Sequence, residues 1–371
     1  MKYRELAGEQ VSVLGFGLMR LPVFDGDPGK IDKKKTAEMI KYAIDNGVNY
    51  FDTAYVYHND KSEGMAGEIL SELNLRDKVK LATKLPTWRV KSESDVPAMI
   101  DEQLRRFRTD HIDFYLCHAL DKNRFDDIIL KYNVLPQLEK AKAEGKIKHI
   151  GFSFHDDLET FKRILDSYDG WEFCQIQLNY INTDYQAGLE GLRYAAEEKG
   201  IGVIVMEPLY GGKLADPSAQ IVRELPEGRT PVESAFDFLW NRPEVKTALS
   251  GMGTMQQMQD NIIYASRAEV GMLSEADLEC MKKAKHVFDT MALVPCTKCN
   301  YCMPCPFGVD IPAVYEAYNK LPVAGKDKAK ELYAAIDGKG GKCVSCGACQ
   351  NVCPQRIMTP ALMKKIDEQL G

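Results

Sequence analysis

A chain of 371 residues has room for two or three domains, or for one large α/β barrel with an appendage. At 45% hydrophobic and 27% charged it is not a disordered chain, and a formal charge of −6 argues against a nucleic-acid surface or a polybasic membrane patch. The cysteines are uneven: Cys117, Cys174 and Cys280 are scattered, whereas the other eight of the eleven lie between Cys296 and Cys353.

The first ten residues lack the apolar stretch of a secretory leader, and no apolar run approaches the roughly 20 residues that span a bilayer. The expectation is a cytoplasmic protein, whose clustered thiols read as metal ligands rather than disulfides. Short β-branched runs follow at Val11–Leu18, Val48–Asp52, Val79–Thr83, Ile112–Cys117, Ile147–Phe152, Phe173–Leu178, Ile201–Met206 and Val245–Ser250. Amphipathic stretches alternate with them at Lys35–Asn46, Val96–Arg106, Val134–Glu144, Asp157–Ser167, Leu189–Lys199 and Val232–Asn241. Gly145, Gly170 and Gly200 stand where helix C-caps are expected. Eight continuous apolar strands separated by helices predict a (β/α)8 TIM barrel over residues 1–290. Gly15-x-Gly17 lacks the third glycine of a dinucleotide fingerprint, and Lys33-Lys34-Lys35 reads as a solvated helix start. A smaller region, 291–371, carries the cysteine runs around helical patterns at Ile311–Leu321 and Asp327–Ile336.

Barrel chemistry sits at the C-terminal ends of strands. Those ends carry Asp52, Lys84, His118, Ser153, Gln177 and Met206, with Tyr57 on the loop after Asp52. Each has an ordinary reading: a helix cap, a surface ion pair, a packing aromatic, a buried imidazole. Together they suit carbonyl reduction. A tyrosine hydroxyl, pKa about 10 when free, becomes a better acid beside an ammonium that an aspartate keeps charged. It can then protonate the oxygen, while a histidine orients the carbonyl.

The segment Phe51-Asp52-Thr53-Ala54-Tyr55-Val56-Tyr57 resembles the FDTAxxY segment of aldo-keto reductases. Ala82-Thr83-Lys84, Asp113–His118, Leu14–Arg20, Ile147–Ser153, Gln177–Tyr180 and Asp260-Asn261 are similar to other segments of that family. The resemblance implies a catalytic tetrad of Asp52, Tyr57, Lys84 and His118. It also implies a nicotinamide cofactor, NADP or NAD, contacted by Ser153, Gln177 and Met206. Its phosphates would face the loop Pro208, Leu209, Gly211, Gly212 and Lys213, and Gln257 and Asn261 would be further cofactor contacts. Gly251 and Gly253 offer backbone N–H groups at a helix start. Three positions depart from the family. Phe154 follows Ser153 where asparagine is common, Met206 takes the place of a stacking tyrosine, and residues 250–261 lack the Lys and Arg that hold an adenosine 2′-phosphate. NADH therefore stands beside NADPH.

The cysteine runs are Cys296-x2-Cys299-x2-Cys302-x2-Cys305-Pro306 and Cys343-x2-Cys346-x2-Cys349-x3-Cys353-Pro354. The second has the spacing of bacterial ferredoxins, in which the fourth cysteine ligates the other cluster. Two [4Fe-4S] clusters are expected, one on Cys296, Cys299, Cys302 and Cys353, the other on Cys343, Cys346, Cys349 and Cys305. Two four-thiolate zinc sites are the alternative, though zinc ribbons favour separated pairs. The region resembles the dicluster ferredoxin domain found C-terminal to some aldo-keto reductases. The implied reading is an oxidoreductase acting on a small carbonyl or alcohol, with a ferredoxin or flavoprotein as redox partner. An electron carrier or redox sensor with a vestigial barrel is the rival reading. The sequence leaves the clusters structural, electron-transferring or sensing, with electron transfer favoured, and it does not identify the substrate.

Overall fold

The computed structural model describes residues 1–291 and 293–371. A hairpin, β1 (Tyr3–Leu6) and β2 (Glu9–Ser12), comes first. Eight parallel strands follow: β3 (Leu14–Gly17), β4 (Tyr50–Asp52), β5 (Lys80–Leu85), β6 (Ile112–Leu120), β7 (Ile147–Phe154), β8 (Phe173–Gln177), β9 (Gly202–Met206) and β10 (Val245–Ser250). They close into a barrel in which each strand neighbours its successor and β10 returns to β3. The expected barrel is what forms. Its strands are buried on both faces, which is why they read as unbroken apolar runs.

Two details differ from the sequence reading. The run Val11–Leu18 divides: β2 ends at Ser12, and β3 starts at Leu14. The hairpin places Leu6 and Val11 in one core cluster with barrel residues Tyr50, Phe114, Phe173 and Ile204. Arg4 fixes it by donating to the carbonyls of Arg242 and Val245 at 2.6 and 2.5 Å. Gly145 and Gly200 do take left-handed φ of +76° and +67°, as C-caps do. Gly170 does not, because the preceding helix (Leu158–Asp166) has already ended at Ser167.

The chain groups into two compact units, residues 1–208 with 235–274, and residues 209–234 with 275–371. The first holds the barrel strands. The second has its own core, built on Val294, Val309, Val314, Tyr315, Tyr333, Met363 and Ile366, with six cysteines packed against it. It also takes in the segment that follows β9. There the backbone of Gly211 lies so close to Thr297 that a Cβ at 211 would collide with it, and Arg229 pairs with Asp277 at 3.0 Å. Among the described residues no helix is long and apolar enough to cross a membrane.

Candidate active site and cysteine centre

Register brings the first pair of site residues together. Asp52, the last residue of β4, lies opposite Ala82 of β5. Lys84 is two residues further along and so on the same face. Its Nζ donates to both Asp52 oxygens, at 2.7 and 2.8 Å, and to the Thr53 carbonyl at 2.7 Å. Both side chains are almost wholly buried. Burial pushes Asp52 up and Lys84 down, and the contact between them pulls each back. All three ammonium donors are aimed at oxygen, which leaves the charge compensated in a dry place.

Tyr57 begins a short turn whose next three residues, His58, Asn59 and Asp60, all have positive φ. This bends the chain back and sets the phenol ring beside the pair: Lys84 Nζ is 5.3 Å from the ring centroid. His118, near the end of β6, meets the same ring edge-on at 6.3 Å. The imidazole is 3% exposed, and its Nδ1 has no hydrogen-bond partner among the described residues. Burial, then the positive charges of Lys84, His155 and Arg124, hold His118 well below the ordinary histidine range. It is therefore a neutral imidazole with donor capacity to spare. Asp52, Tyr57, Lys84 and His118 thus form one connected group at the C-terminal mouth of the barrel.

The nicotinamide candidates from the strands lie on neighbouring elements. Ser153 of β7 accepts from the backbone N–H of Ala119, the residue after His118, at 2.7 Å, so its own hydroxyl proton is left to donate. It lies opposite Gln175, and Gln177 lies opposite Met206. The Met206 sulfur meets Gln175 Nε2 at 3.5 Å. A buried hydroxyl, a carboxamide and a thioether in adjacent positions suit an aromatic carboxamide ring. After β10, Gly253 N–H donates to Gln257 Oε1 at 2.9 Å and Asn261 donates to Ser250 at 3.0 Å, so these two side chains brace the loop locally. Pro208 closes the first unit, and Leu209 to Lys213 belong to the second. There Lys213 donates to the Val294 carbonyl at 3.3 Å and places its charge near Cys296.

Several residues that sequence reading passed over support this group. Glu63, fully buried, accepts from Thr83 and from Gln103 at 2.6 Å and pairs with Arg106 at 3.0 Å. Gln103 also donates to the Lys84 carbonyl at 3.1 Å. A lone acid on the apolar face that includes Ala66, Ile69 and Leu70 was the available signal. Trp88 and Arg124 stand beside His118, and Arg20 lies against Gly251.

In the second unit the thiols lie near one another. Cys302 feels Cys299, Cys296 and Cys353; burial and these neighbours push its thiol up to about 12. Cys302, Cys305, Cys343, Cys346 and Cys349 line a cavity of about 200 Å³. Among the described residues no three metal-binding side chains converge on one point. Partly buried sulfurs that repel each other's charge as thiolates suit a multivalent iron–sulfur group, which would neutralise them together. All eight are free thiols.

Comparison with known proteins agrees with this geometry. The model described as "Aldo/keto reductase family" matches residues 13–283, and one described as "4Fe-4S dicluster domain" matches residues 295–358. L-galactose dehydrogenase of Arabidopsis thaliana is 27% identical over 290 residues, covering 72% of this chain and 89% of that protein. A probable aldo-keto reductase 1 of Glycine max is 30% identical over 218 residues, 56% of this chain and 59% of that protein. Among solved structures, the holo form of aldo-keto reductase AKR11C1 from Bacillus halodurans superposes with a TM-score of 0.63 at 23% identity, covering 76% of this chain and 96% of that one. At that identity the match speaks for the fold.

Proposed function

Because the chain belongs to the aldo/keto reductase family and carries a C-terminal 4Fe-4S dicluster domain, we propose that this oxidoreductase reduces a small carbonyl compound, or runs the reverse oxidation, with Tyr57 as general acid. The observation that supports it most is the buried Lys84–Asp52 pair beneath the Tyr57 ring, facing His118.

When bound, NADH or NADPH supplies a hydride, two electrons at once. Neutral His118 donates a hydrogen bond to the carbonyl oxygen and orients it. Tyr57 gives that oxygen its proton as the carbonyl carbon is reduced, and the alcohol leaves. The Lys84 ammonium favours the phenolate left behind, and Asp52 holds that ammonium charged and in place. Solvent then returns the proton to Tyr57. Ser153, Gln177 and Met206 seat the nicotinamide ring. The Gly251–Gly253 turn, braced by Gln257 and Asn261, serves the phosphates.

Two [4Fe-4S] clusters, one on Cys296, Cys299, Cys302 and Cys353 and one on Cys305, Cys343, Cys346 and Cys349, supply one-electron capacity. We assign them to exchange with a ferredoxin or flavoprotein partner.

The test is Tyr57→Phe in anaerobically purified enzyme. Titration with NADH and NADPH should match wild type, while turnover falls roughly 10²- to 10⁴-fold, the usual share of a positioned acid. Undiminished carbonyl reduction would remove Tyr57 from its role. A wild-type protein that binds neither nucleotide yet keeps its cluster absorbance would be an electron carrier instead.

A further inference from the structure

The tetrad states how a carbonyl is reduced; the groups beside it bear on which carbonyl. Trp88 stands in the short turn after β5, at Thr87–Arg89. Although it is at the catalytic mouth it is 39% exposed, and its ring lies 5.0 Å from that of His118, tilted by 48°. Arg124 also stands by the indole, its guanidinium carbon 5.7 Å from the Trp88 centroid. Imidazole, indole and guanidinium therefore stand together beside the position of the carbonyl oxygen.

Arg124 is held rather than loose. It follows β6 closely, and Asp121 caps its turn by accepting from the Arg124 backbone N–H at 2.7 Å. The guanidinium Nη1 donates to the Ala119 carbonyl at 2.7 Å and to Asp121 at 3.1 Å. Only that nitrogen is engaged. Nη2 and Nε make no hydrogen bond among the described residues, although the side chain is only 22% exposed. An arginine fixed by one nitrogen, with the remaining edge unfilled, is poised for a planar anion. The almost fully buried Nδ1 of His118, which has no hydrogen-bond partner among the described residues, points to a ligand independently.

Resting on the reading of the barrel as a carbonyl reductase, we propose that its substrate bears a carboxylate, held by the Nη2–Nε edge of Arg124 while the carbon skeleton lies on the face of Trp88 and the carbonyl meets His118 and Tyr57. Asp121 balances part of the arginine charge, so specificity comes from the directed donors rather than from net charge. The substrate class is a carbonyl acid with a flat or short spacer between its two ends.

The experiment compares 4-carboxybenzaldehyde with benzaldehyde, reduced by the cluster-loaded enzyme with its preferred nucleotide, in wild type, Arg124→Gln and Arg124→Lys. The wild type should favour the carboxylated aldehyde in kcat/KM by about tenfold, the worth of one charge-assisted hydrogen bond. Arg124→Gln should bring the ratio near one through KM, and Arg124→Lys should keep part of it. Equal kcat/KM for the two aldehydes in wild type, or a preference that survives Arg124→Gln, overturns the carboxylate site and leaves the reductase reading standing. If neither aldehyde is reduced although nucleotide binds, the reductase reading falls, and this inference with it.

Discussion

His118 shows what burial does to one residue. The strand that carries it is interior on both faces, so the imidazole loses water and gains three positive neighbours, and the neutral form wins. The sign for stability follows. The unfolded chain takes up a proton on this histidine below about pH 6.5, whereas the folded chain does not. Its contribution is complete above that pH and declines as pH falls, by up to about 1.4 kcal/mol per unit. Urea midpoints at pH 7.5 and 5.5 should therefore differ more for wild type than for His118→Gln; equal losses would mean that His118 is charged in the fold. The grouping of Asp52, Lys84 and His118 was legible because such residues are chemically unusual at strand ends, with Tyr57 on the loop beside them. Glu63 and Gln103 were not, because a buried acid on a helix looks like any surface acid until the helix is placed.

At the scale of elements, two helices carry the support behind Lys84. Ser62–Glu72 brings Glu63, and Asp95–Phe107 brings Gln103 and Arg106. They cross in such close contact at Gly67 that a Cβ there would strike the backbone of Arg106 and Phe107. Gly67→Ala should cost about 1–3 kcal/mol, as overpacking usually does, and should also lower kcat by disturbing the carboxylate that grips Thr83 and Gln103. An unchanged urea midpoint would show that the crossing can open freely. Helix existence was readable for the strongly amphipathic segments. The helix at Ser62–Glu72 was missed because small and acidic residues interrupt its apolar stripe. The division of Val11–Leu18 between hairpin and barrel was missed because nothing in an apolar run marks where pairing partners change.

For the whole molecule, the second unit is small, and its core is lined by cysteines. Where thiols pack against a core, metal binding and folding are coupled. Anaerobically purified protein should contain about eight irons per chain if both four-cysteine sets carry cubanes, and removing the iron should lower a distinct melting transition while a barrel transition stays put. A single melt that is insensitive to chelation would make the cysteine sets bystanders to folding. This unit also includes residues 209–234, which sequence order alone groups with the barrel.

The sequence by itself determined the architecture and singled out the candidate site: strand period, strand-end residues and cysteine spacing are local patterns, and each has few physical interpretations. Only the tertiary structure decided which groups share an environment. It set the depth at which Lys84 meets Asp52, the neutral state of His118, the helices that brace them, the Trp88–Arg124 pair, and the packing of the segment after β9 against Thr297. These depend on contacts between residues distant in the chain and on the loss of water around them, and neither is written in local order.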